Sequence, residues 1–145
     1  MRQTFDEHIM DLAQKVASRS RDTTKVGCII VDQDKVIVST GYNGLPRSVI
    51  DLPERMERPA KYLWTSHAEE NAVAQAARSG ARLLGSKAYV THAPCARCAR
   101  ILIQAGVQMV CVGNGSTSMP DGEFEVAAVM FMEAGVVTQA MEPVG

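Results

Sequence analysis

The sequence predicts an α/β fold with a three-layer α/β/α arrangement, and three observations carry that reading. An amphipathic helical pattern near the N-terminus is followed by two β-rich runs close enough to form a hairpin. After a long polar stretch, short apolar runs alternate with helical patterns towards the C-terminus. The chain is the size of one domain: its 145 residues, 46% hydrophobic and 21% charged, suffice to close a core without disulfide staples.

Residues Phe5 to Ser18 place Phe5, Ile9, Leu12, Ala13 and Val16 at helical spacing, and Thr4 with Glu7 has the form of a capping box. Val26 to Asp32 and Val36 to Tyr42 read as strands joined through Gln33-Asp34-Lys35. The first is apolar almost throughout, so burial on both faces is expected. Asn43 to Ser66 is polar and holds Pro46, Pro53 and Pro59. Connections this long are usually functional, and local helix is expected around Pro53–Leu63. His67 to Ser79 is an Ala-rich helix stopped at Gly80, Lys87 to Thr91 a strand, and Cys95 to Ala105 a helix stopped at Gly106. Val107 to Val112 reads as a strand, Glu123 to Ala134 as a helix ending at Gly135, and Val136 to Ala140 as the last strand. The order is α-β-β-α-β-α-β-α-β.

A formal net charge of -1 and a pI of about 6.3 give no global basic field for a polynucleotide backbone. Nucleic acid is therefore not expected as a partner. Apolar stretches such as Val26–Val31 fall far short of the ~20 residues a membrane helix needs, and no secretion signal follows Met1. A cytoplasmic protein without membrane contact is expected. Its four cysteines are Cys28, Cys95, Cys98 and Cys111. They are expected to be reduced thiols, with Cys28 and Cys111 serving as small buried strand residues.

Two local patterns carry chemistry: His67-Ala68-Glu69, and Pro94-Cys95-Ala96-Arg97-Cys98, each opening a predicted helix. Cys95 and Cys98 are three residues apart, so they share a helix face. They lie in the first turn, where the helix dipole favours thiolates. With His67 they supply three tetrahedral ligands for zinc and leave the fourth position for water. Two thiolates cancel the formal charge of the ion and acidify that water less than a three-histidine site does, so a neighbouring base matters. Glu69 is the candidate, taking a proton from water and returning it to the substrate. Residues i and i+2 diverge on a regular helix, so His67 and Glu69 can converge only at an irregular helix start, for which Ser66 is a candidate N-cap. Alternatives for the Cys pair are a redox couple, a structural half-site, or a closed four-ligand site that adds His92.

With these residues in hand, the chain resembles the deoxycytidylate (dCMP) deaminases of the cytidine deaminase-like superfamily, from about Phe5 to Val137. His-x-Glu followed by Pro-Cys-x-x-Cys matches the signature of zinc-dependent nucleobase deaminases. Val26-Gly27-Cys28-Ile29-Ile30-Val31, Gly41-Tyr42-Asn43-Gly44-Leu45-Pro46, His67-Ala68-Glu69-Glu70-Asn71-Ala72 and Ile103-Gln104-Ala105-Gly106-Val107 extend the match. The resemblance implies a five-stranded mixed sheet, one zinc ion per subunit, and hydrolysis of dCMP to dUMP and ammonia. It also implies a homo-oligomer, with a hexamer favoured, and dCTP and dTTP as effectors. It implies that Asn43 contacts the nucleotide and that the backbone N–H of Ala68 meets the pyrimidine 2-oxygen. Ser66 and Pro94 are further expected substrate contacts. Lys25, Arg47, Arg55, Arg58 and Lys61 flank the long loop as phosphate partners, Arg47 first because it follows the Asn43 turn and suits bidentate binding. Tyr42, Tyr62 and Trp64 are candidates for the pocket wall, an interface or the core.

Two departures from the family pattern stand out. Some members carry extra ligands for a second zinc, but no Cys or His lies between Cys28 and His67, so a single ion is expected. Members often place an aromatic residue just before Pro-Cys. Here that residue is Ala93, preceded by His92, which extends the expected substrates to 5-methyl or 5-hydroxymethyl dCMP. The rival readings are a polynucleotide-editing deaminase of the tRNA adenosine type and a non-catalytic zinc-stabilised binding module.

Overall fold

The computed structural model describes residues 1–141. Helix α1 (Phe5–Ala17) starts on the expected capping box. Thr4 Oγ1 accepts the Glu7 N–H at 3.1 Å, and Glu7 Oε1 accepts the Thr4 N–H at 3.3 Å. Strands β1 (Gly27–Val31) and β2 (Ile37–Tyr42) form the hairpin. The long connection holds a 3-10 turn (Pro53–Met56) and one turn of helix, α2 (Lys61–Trp64). There follow α3 (Ala68–Ser79), β3 (Lys87–His92), α4 (Ala96–Ala105), β4 (Met109–Gly115), α5 (Asp121–Glu133) and β5 (Val137–Ala140).

The sheet is five-stranded in the order β2-β1-β3-β4-β5. β1 pairs antiparallel with β2 and β3, and β3-β4 and β4-β5 pair parallel, so the sheet is mixed as expected. Helix α1 covers one face. Strand residues alternate accordingly: Ile29, Val31, Tyr89 and Cys111 pack with α1 residues Ile9, Met10 and Ala13. Their neighbours Cys28, Ile30, Ala88, Val90 and Val110 face α3, α4 and α5 on the other side. Cys28 and Cys111 are free, fully buried thiols. Glycine at position 41 has a steric cause. A Cβ there would lie closer than 3 Å to the backbone of Ala68 and Ala72, so α3 can approach β2 only over a bare Cα.

The fourth strand begins later than expected. Gly106 adopts the left-handed conformation, and the Val107 N–H donates to Leu102 O at 3.1 Å, closing the end of α4. Val107 is thus a buried helix-closing residue. Among the described residues, no helix is long and apolar enough to cross a membrane.

Candidate metal centre and cleft

Two helix starts meet at one end of the sheet. His67 is the N-cap of α3, with extended backbone (φ -74°, ψ 161°). That conformation resolves the divergence of residues i and i+2, because His67 stands outside the helix while Glu69 lies in its first turn. The cap position belongs to His67 and not to Ser66. Ser66 instead exchanges two backbone hydrogen bonds with Gly44, 2.9 and 3.1 Å long, which tie the Asn43 turn to the chain entering α3. Cys95 is the N-cap of α4, and Cys98 lies in its first turn.

The ligand atoms of His67, Cys95 and Cys98 all lie within 4.8 Å of one another. His67 Nδ1 is 3.2 Å from Cys98 Sγ and 3.5 Å from Cys95 Sγ. A tetrahedral zinc ion, with bonds of about 2.0 and 2.3 Å, separates its nitrogen and sulfur ligands by roughly 3.5 Å. The three residues therefore fit zinc, with a fourth position left over. His92 is outside this group. Its absence from the cluster removes the closed four-ligand alternative; its Nδ1 lies 2.7 Å from Thr91 Oγ1.

Electrostatics favour the thiolate at one of the two cysteines. The hydrogen bond from Cys98, assisted by His67 against the effect of burial, draws Cys95 down to about 3. The same partnership and burial push Cys98 up. Burial is also the main cause that raises Glu69 to about 7, opposed by its own backbone N–H and the charge on His67. Glu70 braces both helix starts: its Oε1 accepts the His67 N–H at 2.8 Å and a guanidinium N–H of Arg97 at 2.8 Å. Such outer partners orient ligands.

A cleft opens over this centre. His67, Ala68, Glu69, Cys95 and Asn43 line it, and Arg58, Lys61, Tyr62 and His92 form other parts of its wall. The Asn43 amide is largely engaged: Oδ1 accepts the Val26 N–H at 2.9 Å, and Nδ2 donates to Thr24 O at 2.8 Å. One Nδ2 proton remains for a ligand. Arg47, Lys25, Ser66 and Pro94 are not part of this wall. Arg47 turns away to hydrogen-bond Gln75 on α3, in a separate groove beside β2. The sequence reading also missed the ion pair between Lys61 and Asp22 in the cleft wall; the two residues lie 39 positions apart and no local pattern joins them. Of the aromatic candidates, Tyr62 lines the cleft, and Trp64 lies under the Arg55 guanidinium, 3.9 Å from its ring centre.

An open three-ligand metal site beside a buried carboxylate, at the end of a mixed α/β sheet, defines a zinc-dependent hydrolytic enzyme. The family described as the cytidine and deoxycytidylate deaminase zinc-binding region matches residues 3–114, and the chain belongs to that family. A deaminase of the luxG 3' region of Aliivibrio fischeri is 40% identical over 134 residues, covering 90% of this chain and 88% of that protein. The deoxycytidylate deaminase of Mus musculus is 36% identical over 147 residues, covering 96% of this chain and 80% of the mouse protein. The dCMP deaminase of cyanophage S-TIM5, solved in complex with dCMP and dUMP, superposes with a TM-score of 0.78 at 27% identity, over 97% of this chain and 99% of the phage chain. A tRNA:A34 deaminase, 22% identical with a TM-score of 0.64 over 92% of this chain and 91% of that one, shares the fold alone.

Proposed function

We propose that this chain is a single catalytic domain that hydrolyses dCMP to dUMP and ammonia. The observation that carries the reading is Glu69, 4% exposed, at the floor of a cleft beside the His67–Cys95–Cys98 group. Zinc, when bound by those three residues, supplies the Lewis acidity that makes water a nucleophile near neutral pH. Glu69 accepts a proton from the water that attacks C4 and delivers it to N3, then takes the proton of the new C4 hydroxyl and delivers it to the amino group. The C4–N bond breaks and ammonia departs. One carboxylate serves as base and then as acid, for which a pKa near 7 is suited.

Ala68 offers one of the backbone N–H groups left without a helical partner at the start of α3, which supports its contact with the pyrimidine 2-oxygen. The remaining Asn43 proton supports a contact with the sugar or phosphate. For the phosphate, Arg58 and Lys61 replace Arg47 and Lys25, because they line the cleft. Asp22 already balances Lys61, so Arg58 is the principal cation. The outer face of α5 leaves Val126, Val129 and Met132 about half or more exposed, which supports a homo-oligomer; the family resemblance favours a hexamer, with dCTP and dTTP as effectors. Free thiols throughout fit a cytoplasmic, reducing location.

The test is ammonia release from zinc-loaded protein given dCMP, CMP, deoxycytidine, dCTP or tRNA, with and without dCTP and dTTP as effectors. Release from dCMP above the others is the expected result. Release from tRNA alone would transfer the reading to polynucleotide editing.

A further inference from the structure

At the end of β3 stands a histidine that the reaction leaves unused. His92 is half-buried, lines the cleft and lies outside the ligand group. Its ring is held from two sides. Nδ1 is 2.7 Å from Thr91 Oγ1. That hydroxyl belongs to a residue 1% exposed and accepts the Gly27 N–H at 3.1 Å. Among the described residues these are its two partners, so the hydroxyl proton is donated to Nδ1. His92 is then the tautomer carrying its proton on Nε2. Burial keeps the ring neutral. On the other side lies Gly115, its register partner on β4. A Cβ at Gly115 would lie closer than 3 Å to Cε1, Nε2 and Cδ2, at nearly equal distances from all three. The ring therefore lies face-on over the glycine. Its Nε2–H has no partner among the described residues.

The chemistry fixes which part of the base comes here. C4 faces the metal group, and N3 faces Glu69 on α3. C5 is the other ring neighbour of C4, so in the proposed reaction it lies on the side away from Glu69; His92 and Ala93, at the β3–α4 junction, line the same cleft. The Ala93 side chain there is a single methyl group.

We propose that His92 is a specificity-determining residue that reads the substituent at C5 of the pyrimidine, its Nε2–H donating to an acceptor carried there. 5-Hydroxymethyl-dCMP is then a better substrate than 5-methyl-dCMP. This inference rests on the proposed dCMP deamination and deepens it.

The test compares kcat/KM for dCMP, 5-methyl-dCMP and 5-hydroxymethyl-dCMP with zinc-loaded protein. The hydroxymethyl-to-methyl ratio is expected at about two- to tenfold, the range one neutral hydrogen bond supplies. It falls to about one in His92→Phe. It also falls to about one in Gly115→Ala, which keeps the imidazole but displaces it. His92→Gln keeps a donor and part of the preference. Because the ratio is read within each variant, failure of one to fold leaves the others to decide. A wild-type ratio near one, or a ratio unchanged in these variants while dCMP is still turned over, overturns the inference alone. Absence of turnover on all three nucleotides by the wild type overturns the dCMP reading and this inference with it.

Discussion

Lys61 Nζ lies 2.9 and 3.2 Å from the two carboxylate oxygens of Asp22, and both side chains are only 9% exposed. The pair joins the segment before β1 to α2 across the cleft wall. Removing one partner leaves a buried charge uncompensated, which costs about 3 kcal/mol or more. Asp22→Asn is expected to lower unfolding stability by that order, measured by urea titration. Burial alone would raise the Asp22 carboxyl, but the hydrogen bond and charge of Lys61 and the Thr24 N–H outweigh it and hold it below the usual range. The folded value is the lower one, so the stabilisation is complete above the unfolded carboxylate value of about 4 and vanishes as pH falls through the folded value. The acid limb of stability should be shallower in Asp22→Asn.

Glu69→Gln is expected to retain zinc and lose turnover by about a thousandfold or more, since every proton transfer of the reaction passes through the carboxylate. Metal analysis alongside ammonia release checks this. The same substitution should stabilise the metal-free protein in alkaline solution. Burial raises the folded Glu69 value to about 7, so stability is lost as pH climbs from the unfolded value through 7. A gain of about 1–3 kcal/mol at pH 8 is the expected size.

Cys95→Ser replaces a ligand whose thiolate form is already favoured without metal. Zinc content should fall well below one ion per chain. In the wild type, a chelator should abolish activity and added zinc should restore it. Full activity in a chelated, metal-free sample would refute the assignment.

Glu70 joins the two ligand-bearing helix starts through His67 and Arg97. Glu70→Ala should weaken zinc retention by about ten- to a hundredfold, the usual effect of losing an outer partner. The rate of zinc transfer to a chromogenic chelator measures it. Arg97→Ala should act in the same direction and add little in the double variant.

Gly41→Ala drives a methyl group into the backbone of Ala68 and Ala72. Helix α3 must then retreat from β2 and carry His67 and Glu69 with it. Destabilisation of about 1–3 kcal/mol is expected, with a larger proportional loss of turnover than of folded protein. Circular dichroism melting and a deaminase assay separate the two effects.

The parts legible in the sequence are those governed by local rules. Thr4 and Glu7 announce the capping box, β1 is apolar on both faces, and the spacing of Cys95 and Cys98 places both thiols at one helix start. The irregular start of α3 follows from the need to bring His67 and Glu69 to one metal, but the cap residue does not: it is His67, where the sequence suggests Ser66. Among the cations flanking the long loop, the ranking was not legible: Arg58 and Lys61 line the cleft, and Arg47, placed first, does not. Arg47 follows the Asn43 turn in the chain, yet its side chain leaves along the outer side of α3, while Lys61 comes back to the cleft from a distance. His92 could be seen as a residue, but its tautomer depends on Thr91 and Gly27 and its ring position on Gly115, drawn from three strands.

The Gly44–Ser66 bridge makes the excursion between them a closed ring whose two ends are pinned at a single point. Changing the length of such a ring adds little entropy, about 0.6 kcal/mol for each doubling. Arg58, Lys61 and Tyr62 all sit on this excursion, whereas His67, Cys95 and Cys98 sit beyond its clasp. Evolution can therefore lengthen, shorten or rewrite the part of the cleft wall proposed to face the nucleotide's phosphate while the metal-holding hub stays as it is.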